Sequence, residues 1–137
     1  MNEEQLAVDM LSHRYPSLQA VYLFGSLGTD AETEKSDADI AILLPHAEAK
    51  RTAPADLFDT RCALANALHR DVDLVNARAV NTVLRKEIVA ASRRIFCADP
   101  YEADLFEMLT ISFYQKLNEE RAGILAEIER SGRILAA

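Results

Sequence analysis

The sequence predicts an α/β or α+β fold: a small mixed sheet of about four strands flanked by helices, with a long helix at the C-terminal end. Three observations carry this. Four short apolar runs, at Ala20–Phe24, Ala38–Leu44, Asp71–Val75 and Arg94–Cys97, are bounded by turn residues and have strand length. Helix-period apolar patterns separate them. The stretch from Tyr101 to about Ile134 keeps a helical period without a strong break.

The elements follow in order. Leu6, Met10 and Leu11 recur at helical spacing over residues 3–14, and Pro16 ends that pattern. Ala20–Phe24 is continuous and apolar, as a buried strand is, and Gly25-Ser26 closes it. Thr29–Lys35 is polar and acidic and reads as a short helix or loop. Ala38–Leu44 is the second strand, stopped by Pro45. Residues 45–54, rich in Ala with a Pro at each end, read as the most mobile loop. Pro54 favours a first helical turn, and Leu57, Phe58, Leu64, Ala65 and Leu68 form one stripe up to His69. Val80, Val83, Leu84 and Ile88 mark the next helix. Asp99-Pro100 separates the fourth strand from the long final helix, where Gly123 and Gly132 are the candidate kink or end points.

The chain has 137 residues, half of them apolar, which suits one domain with a real core: a core over 1–99 and a C-terminal helical segment over 100–137. The net charge of −7 argues against a long DNA or RNA target, because such proteins gather cations against phosphate. It leaves room for a nucleotide that arrives paired with Mg²⁺. Cys62 and Cys97 lie far apart in apolar patterns, as buried thiols in a reducing compartment do. His13, His46 and His69 show no zinc spacing. The N-terminus is acidic and polar, unlike a signal peptide, and the longest apolar runs are five residues. The expected location is the cytoplasm, with no membrane contact.

The chemistry sits in Ser36-Asp37-Ala38-Asp39-Ile40. Carboxylates two residues apart on a strand share a face, with Cα atoms about 7 Å apart. The third strand repeats the pattern: Asp71, Asp73 and Val75 face one way, Val72 and Leu74 the other. If the two strands are neighbours, three or four carboxylates meet on one sheet face. Such a cluster repels itself unless a cation is present. Its all-oxygen donors suit Mg²⁺ or Mn²⁺, and a pair of such ions can hold the attacking and leaving oxygens of a displacement at phosphorus. The Gly25-Ser26 turn, directly after a strand, is suited to holding a phosphate.

The whole pattern is Gly-Ser, ten residues, Asp-x-Asp, and a later Asp within Val72-Asp73-Leu74-Val75. It resembles the minimal nucleotidyltransferases of the DNA polymerase β superfamily, and within these the small antitoxins paired with HEPN-domain ribonuclease toxins. The motif region spans residues 20–76. The resemblance implies a polymerase-β-like core in which Gly25 and Ser26 hold the triphosphate of ATP. It implies that Asp37 and Asp39 ligate two Mg²⁺ ions, and that Asp73 completes one metal site and helps deprotonate the attacking hydroxyl. Its hydrophobic-Asp-hydrophobic context selects Asp73 over Asp71. Many members carry an Arg shortly after Gly-Ser. This chain has Leu27-Gly28-Thr29-Asp30 there, which leaves Lys35 or Arg85 as the candidate replacement.

The resemblance further implies transfer of AMP from Mg·ATP to a tyrosine of the partner toxin, which neutralises it. Two other readings stay open: a non-catalytic antitoxin that covers its toxin, and a transferase acting on a small hydroxylated molecule. The final helix bears on the partner. Leu105, Phe106, Met108, Leu109, Phe113, Leu117, Ile124, Leu125 and Ile128 cover a wider arc than one core contact needs. The arc is expected either to be sandwiched within the domain or to dock a toxin or a second copy.

Overall fold

In the computed structural model, which describes residues 2–24 and 37–132, the elements run α1 (Glu3–Arg14), β1 (Ala20–Phe24), β2 (Ala38–Leu43), α2 (His46–Arg51), α3 (Pro54–Leu68), β3 (Val72–Asn76), α4 (Thr82–Ala91), β4 (Arg93–Cys97) and α5 (Pro100–Ser131). The sheet order is β3-β2-β1-β4. The strands β2 and β3 are parallel, and β1 is antiparallel to both β2 and β4. The parallel pair requires a long crossover, which α2 and α3 supply.

The alternation of β2 divides the core into two layers. Ala38, Ile40, Ile42 and Leu44 face one side, where α1 and α3 contribute Ala7, Leu11, Leu64 and Leu68. Ala41 and Leu43 face the other, with Ala20, Tyr22, Ile88, Ala103 and Phe106. Both faces of β2 are therefore covered, which explains its near-continuous apolar run.

Local signals fix the helix ends. The Asn2 side chain accepts from the Gln5 amide at 2.7 Å, and Asn81 accepts from Leu84 at 2.8 Å. Asp99 accepts from Glu102 at 3.2 Å, each satisfying an otherwise orphaned donor. His69 ends α3 at φ 55°, and Gly132 ends α5 at φ 69°. Gly123 lies inside α5, which continues through it.

Three expectations need correction or delimiting. Residues 45–54 are not a structureless loop, because His46–Arg51 form α2. Its alanines are strong helix formers, and Ala49 is buried in the core. Asn76 donates to the Ala49 carbonyl at 3.0 Å, and Ser17 bonds Glu48, so the short helix is held from both sides. The cysteines are not both buried: Cys62 is exposed and Cys97 half-buried. The short element expected at Thr29–Lys35 lies outside the described residues. Among the described residues no helix is long and apolar enough to cross a membrane.

Candidate active site

Asp37 directly precedes β2, and Asp39 is the second residue of that strand. β2 is an inner strand, so Asp39 has a neighbour on each side. In the parallel ladder it stands opposite Asp73; in the antiparallel ladder it stands opposite Phe24. Neighbouring strands are spaced about 4.8 Å apart, which brings the in-register Asp39 and Asp73 side chains onto one face at short range. The adjoining segment is fixed as well, since the Ala38 amide donates to the Asp71 carbonyl at 2.8 Å.

The electrostatics follow from this placement. The Asp39 carboxyl is pushed above the ordinary carboxylate value, first by partial burial, then by the charges of Asp73 and Asp37. Both neighbours act on Asp39. Asp37 and Asp73 are themselves exposed. Among the described residues no three His, Cys, Asp or Glu side chains are drawn together tightly enough to cage an ion unaided. The donor set is all oxygen and fits a hard divalent ion, which commonly takes one or two carboxylates and fills its shell with phosphate oxygens and water.

Gly25 and Ser26, expected at the phosphates, lie outside the described residues, as does Lys35. Phe24, the residue before Gly25, is the one opposite Asp39. Arg85 is placed elsewhere. Its guanidinium donates to the carbonyls of Val80 at 2.9 Å and Arg78 at 2.7 Å. It lines a cleft with His46 beyond the far end of β2, so it does not stand in for the missing cation beside the aspartates.

Two networks were not foreseen from sequence. Arg78, largely buried, donates to the Leu44 carbonyl at 2.5 Å, to Gln19 Oε1 at 2.7 Å and to His46 Nε2 at 3.0 Å. Glu102 lies 3.5 Å away, and the guanidinium sits 5.8 Å from the Phe106 ring. It ties the end of β2 to the approach to β1 and to the first turn of α5. On the second core layer the Tyr22 hydroxyl donates to Glu107 at 3.1 Å, and Arg94 reaches the same carboxylate at 2.9 Å. Burial, then Glu107, pushes the Tyr22 hydroxyl well above its usual range. A lone Arg after Asn76-Ala77 and a Tyr in an apolar strand carry no spacing that would single them out in sequence.

Comparison with known proteins settles the family. The sequence profile described as "Polymerase beta, Nucleotidyltransferase" matches residues 8–101. The chain belongs to the polymerase β nucleotidyltransferase family. It is 34% identical over 134 residues to the protein adenylyltransferase MntA of Shewanella oneidensis, covering 93% of this chain and 88% of that one. The fold resembles a crystal structure of a toxin–antitoxin with AMP-PNP: TM-score 0.78, 32% identity, 94% of this chain and 99% of the matched one. It also resembles a structure of the tri-AMPylated Shewanella oneidensis HEPN toxin in complex with its MNT antitoxin. There the TM-score is 0.74 at 31% identity, over 93% of this chain and 96% of the other.

Proposed function

We propose that this nucleotidyltransferase is an antitoxin that moves AMP from Mg·ATP to a tyrosine hydroxyl of a cognate HEPN ribonuclease toxin. The observation that carries the reading is the in-register pairing of Asp39 with Asp73, with Asp37 acting on the same carboxyl. Three mutually repelling carboxylates, at the start of the inner strand β2 and on its edge neighbour β3, add nothing to stability, so their placement calls for a cation. The likeness to MntA and to an antitoxin complexed with an AMPylated toxin supports the choice of group and acceptor.

Asp37 and Asp39 would hold Mg²⁺, with Asp73 as a further ligand. The bound ions supply neutralisation of the triphosphate and of the charge that develops at phosphorus. Asp73, at the start of the edge strand β3 and exposed, would take the proton from an incoming tyrosine hydroxyl. The phenolic oxygen then bonds to the α-phosphorus and the bond from that phosphorus to the bridging oxygen breaks. Pyrophosphate leaves with that electron pair. Gly25 and Ser26 would hold the β- and γ-phosphates. An added nucleotide on the toxin blocks RNA through bulk and negative charge.

The test uses ATP labelled at either the α or the γ phosphate, with purified toxin and Mg²⁺. Label should reach the toxin from the α position alone. Label from the γ position would identify a kinase and end the reading.

A second reading, neutralisation by covering the toxin, is favoured by one observation. On α5 only Ala103, Phe106 and Thr110 are buried, while Met108, Phe113, Ile124 and Leu125 are more than half exposed. The expected sandwich of that helix within its own domain is therefore not what the fold builds, and a docking face remains. Toxin neutralised equally well by Asp39→Asn protein would favour covering over catalysis.

A further inference from the structure

The far end of the sheet holds a chemically distinctive cavity. It is a cleft of about 200 Å³ lined by His46, Arg78, Arg85, Phe106, Thr110 and Phe113, with Leu109 at the same wall. A smaller hollow of about 110 Å³ adjoins it, sharing His46 and Arg78 and adding Lys50. Arg78 bonds Gln19, just before β1. Arg78 also bonds the Leu44 carbonyl, and the five residue steps from Asp39 to Leu44 along β2 put the cleft roughly 17 Å from the aspartates.

The charge at this cleft is out of balance. Arg78 and Arg85 line it, Lys50 lies in the adjoining hollow, and among the described residues Glu102 answers Arg78 at 3.5 Å. The Arg78 guanidinium is made less basic first by burial, with Arg85 adding to the effect and Glu102 opposing it. Arg85 is half-buried and held by two backbone carbonyls, Val80 and Arg78. Among the described residues no carboxylate lies within ion-pair distance of it. A rigid cation without a counter-ion, in a protein of net charge −7, is a preorganised anion site. The remaining wall is aromatic: Phe106 packs beneath Arg78, and Phe113 is 54% exposed at the mouth. The volume lies below the about 300–1,000 Å³ of sites for drug-sized ligands, so the ligand is small.

We propose that this cleft binds a small phosphate monoester carrying a single flat apolar ring, with the phosphate against Arg85 and His46 and the ring against Phe113. Two arginines in the cleft, with Lys50 in the adjoining hollow, match a dianion better than a carboxylate, and Arg presents a planar fork to phosphate oxygens. The site works without Mg²⁺ and without the aspartates, so it is independent of the transfer reaction.

Calorimetry on the full-length protein in EDTA tests this with four probes: phenyl phosphate, inorganic phosphate, benzoate and phenol. Phenyl phosphate should bind at least about tenfold more tightly than each of the others, a difference of about 1.4 kcal/mol. Arg85→Gln should weaken it by about tenfold or more, and Asp73→Asn should leave it unchanged. The absence of saturable binding by phenyl phosphate, or benzoate binding equally well, overturns the proposal. So does Arg85→Gln protein that melts like wild type and binds equally well. Should that variant misfold, amide shifts in the wild-type spectrum decide. Phenyl phosphate must perturb His46, Arg85 and Thr110; shifts centred on Asp39 overturn the site.

Discussion

Asp39 of the inner strand β2 and Asp73 of the edge strand β3 stand directly opposite each other in a parallel ladder, so two like charges share one sheet face. Parallel pairing keeps this register along the strands, with Ile40 opposite Leu74 and Ala41 opposite Val75. A slip of one residue would send the carboxylates into the apolar layer that holds Ile40 and Leu74. The hydrophobic pattern thus holds the acidic pair in place.

Asp39→Asn and Asp73→Asn should each lower AMP transfer more than about 100-fold, since even indirect supports of a metal site are worth about 10–100-fold. Both variants should remain folded. Asp39→Asn should melt slightly higher than wild type in EDTA, by a few tenths of a kcal/mol to about 1 kcal/mol, the scale of a partly solvated charge pair. Lower melting of Asp39→Asn in EDTA would contradict the repulsion argument.

The pH dependence has a definite sign. The folded-state pKa of Asp39 is raised, so the native protein binds more protons than the unfolded chain between the ordinary value of 3.8 and the raised one. The destabilising contribution is absent below that window and grows as pH rises through it. The melting advantage of Asp39→Asn over wild type in EDTA should therefore shrink as pH falls toward 3.8. Mg²⁺ should cancel the advantage at neutral pH. Parallel melting curves across pH for the two proteins would refute this.

Arg78→Met should destabilise the protein by about 2–4 kcal/mol, because removal leaves buried acceptors unsatisfied at the end of β2 and before β1. Denaturant melts check this. A change below about 0.5 kcal/mol, the size of an ordinary surface substitution, would show that Arg78 does not clamp these segments.

On the distal half of α5, Ile124→Asp and Leu125→Asp replace side chains that are 52% and 65% exposed. Each should change monomer stability by no more than about 0.5 kcal/mol. Each should weaken a toxin complex by about tenfold or more if this face docks the partner. Unchanged toxin affinity in both would move the docking surface elsewhere.

Much of this was legible because the apolar pattern and the chemistry coincide. The two-residue period of Asp37–Leu44 and of Asp71–Val75 predicted both strands and which side each Asp faces. Pro54, Asp99-Pro100 and Gly132 marked helix ends that the fold uses. Residues 46–51 were misread because flanking prolines outweighed an alanine run whose helix is secured by tertiary bonds from Ser17 and Asn76. Cys62 was misread because one helix face is apolar without being covered. Arg78 and Arg85 were illegible as a pair. Their roles come from carbonyls and rings brought together by the crossover, and no local spacing records that. Gly25 and Ser26 lie outside the described residues, so their reading rests on sequence.

The most direct test is the intact mass of cognate HEPN toxin incubated with this protein, ATP and Mg²⁺, followed by peptide mapping. The account predicts a gain of one or more whole AMP units on a tyrosine with wild-type protein, and no gain with Asp73→Asn or with EDTA present. Unmodified toxin in the complete reaction, or equal modification by Asp73→Asn, would contradict it.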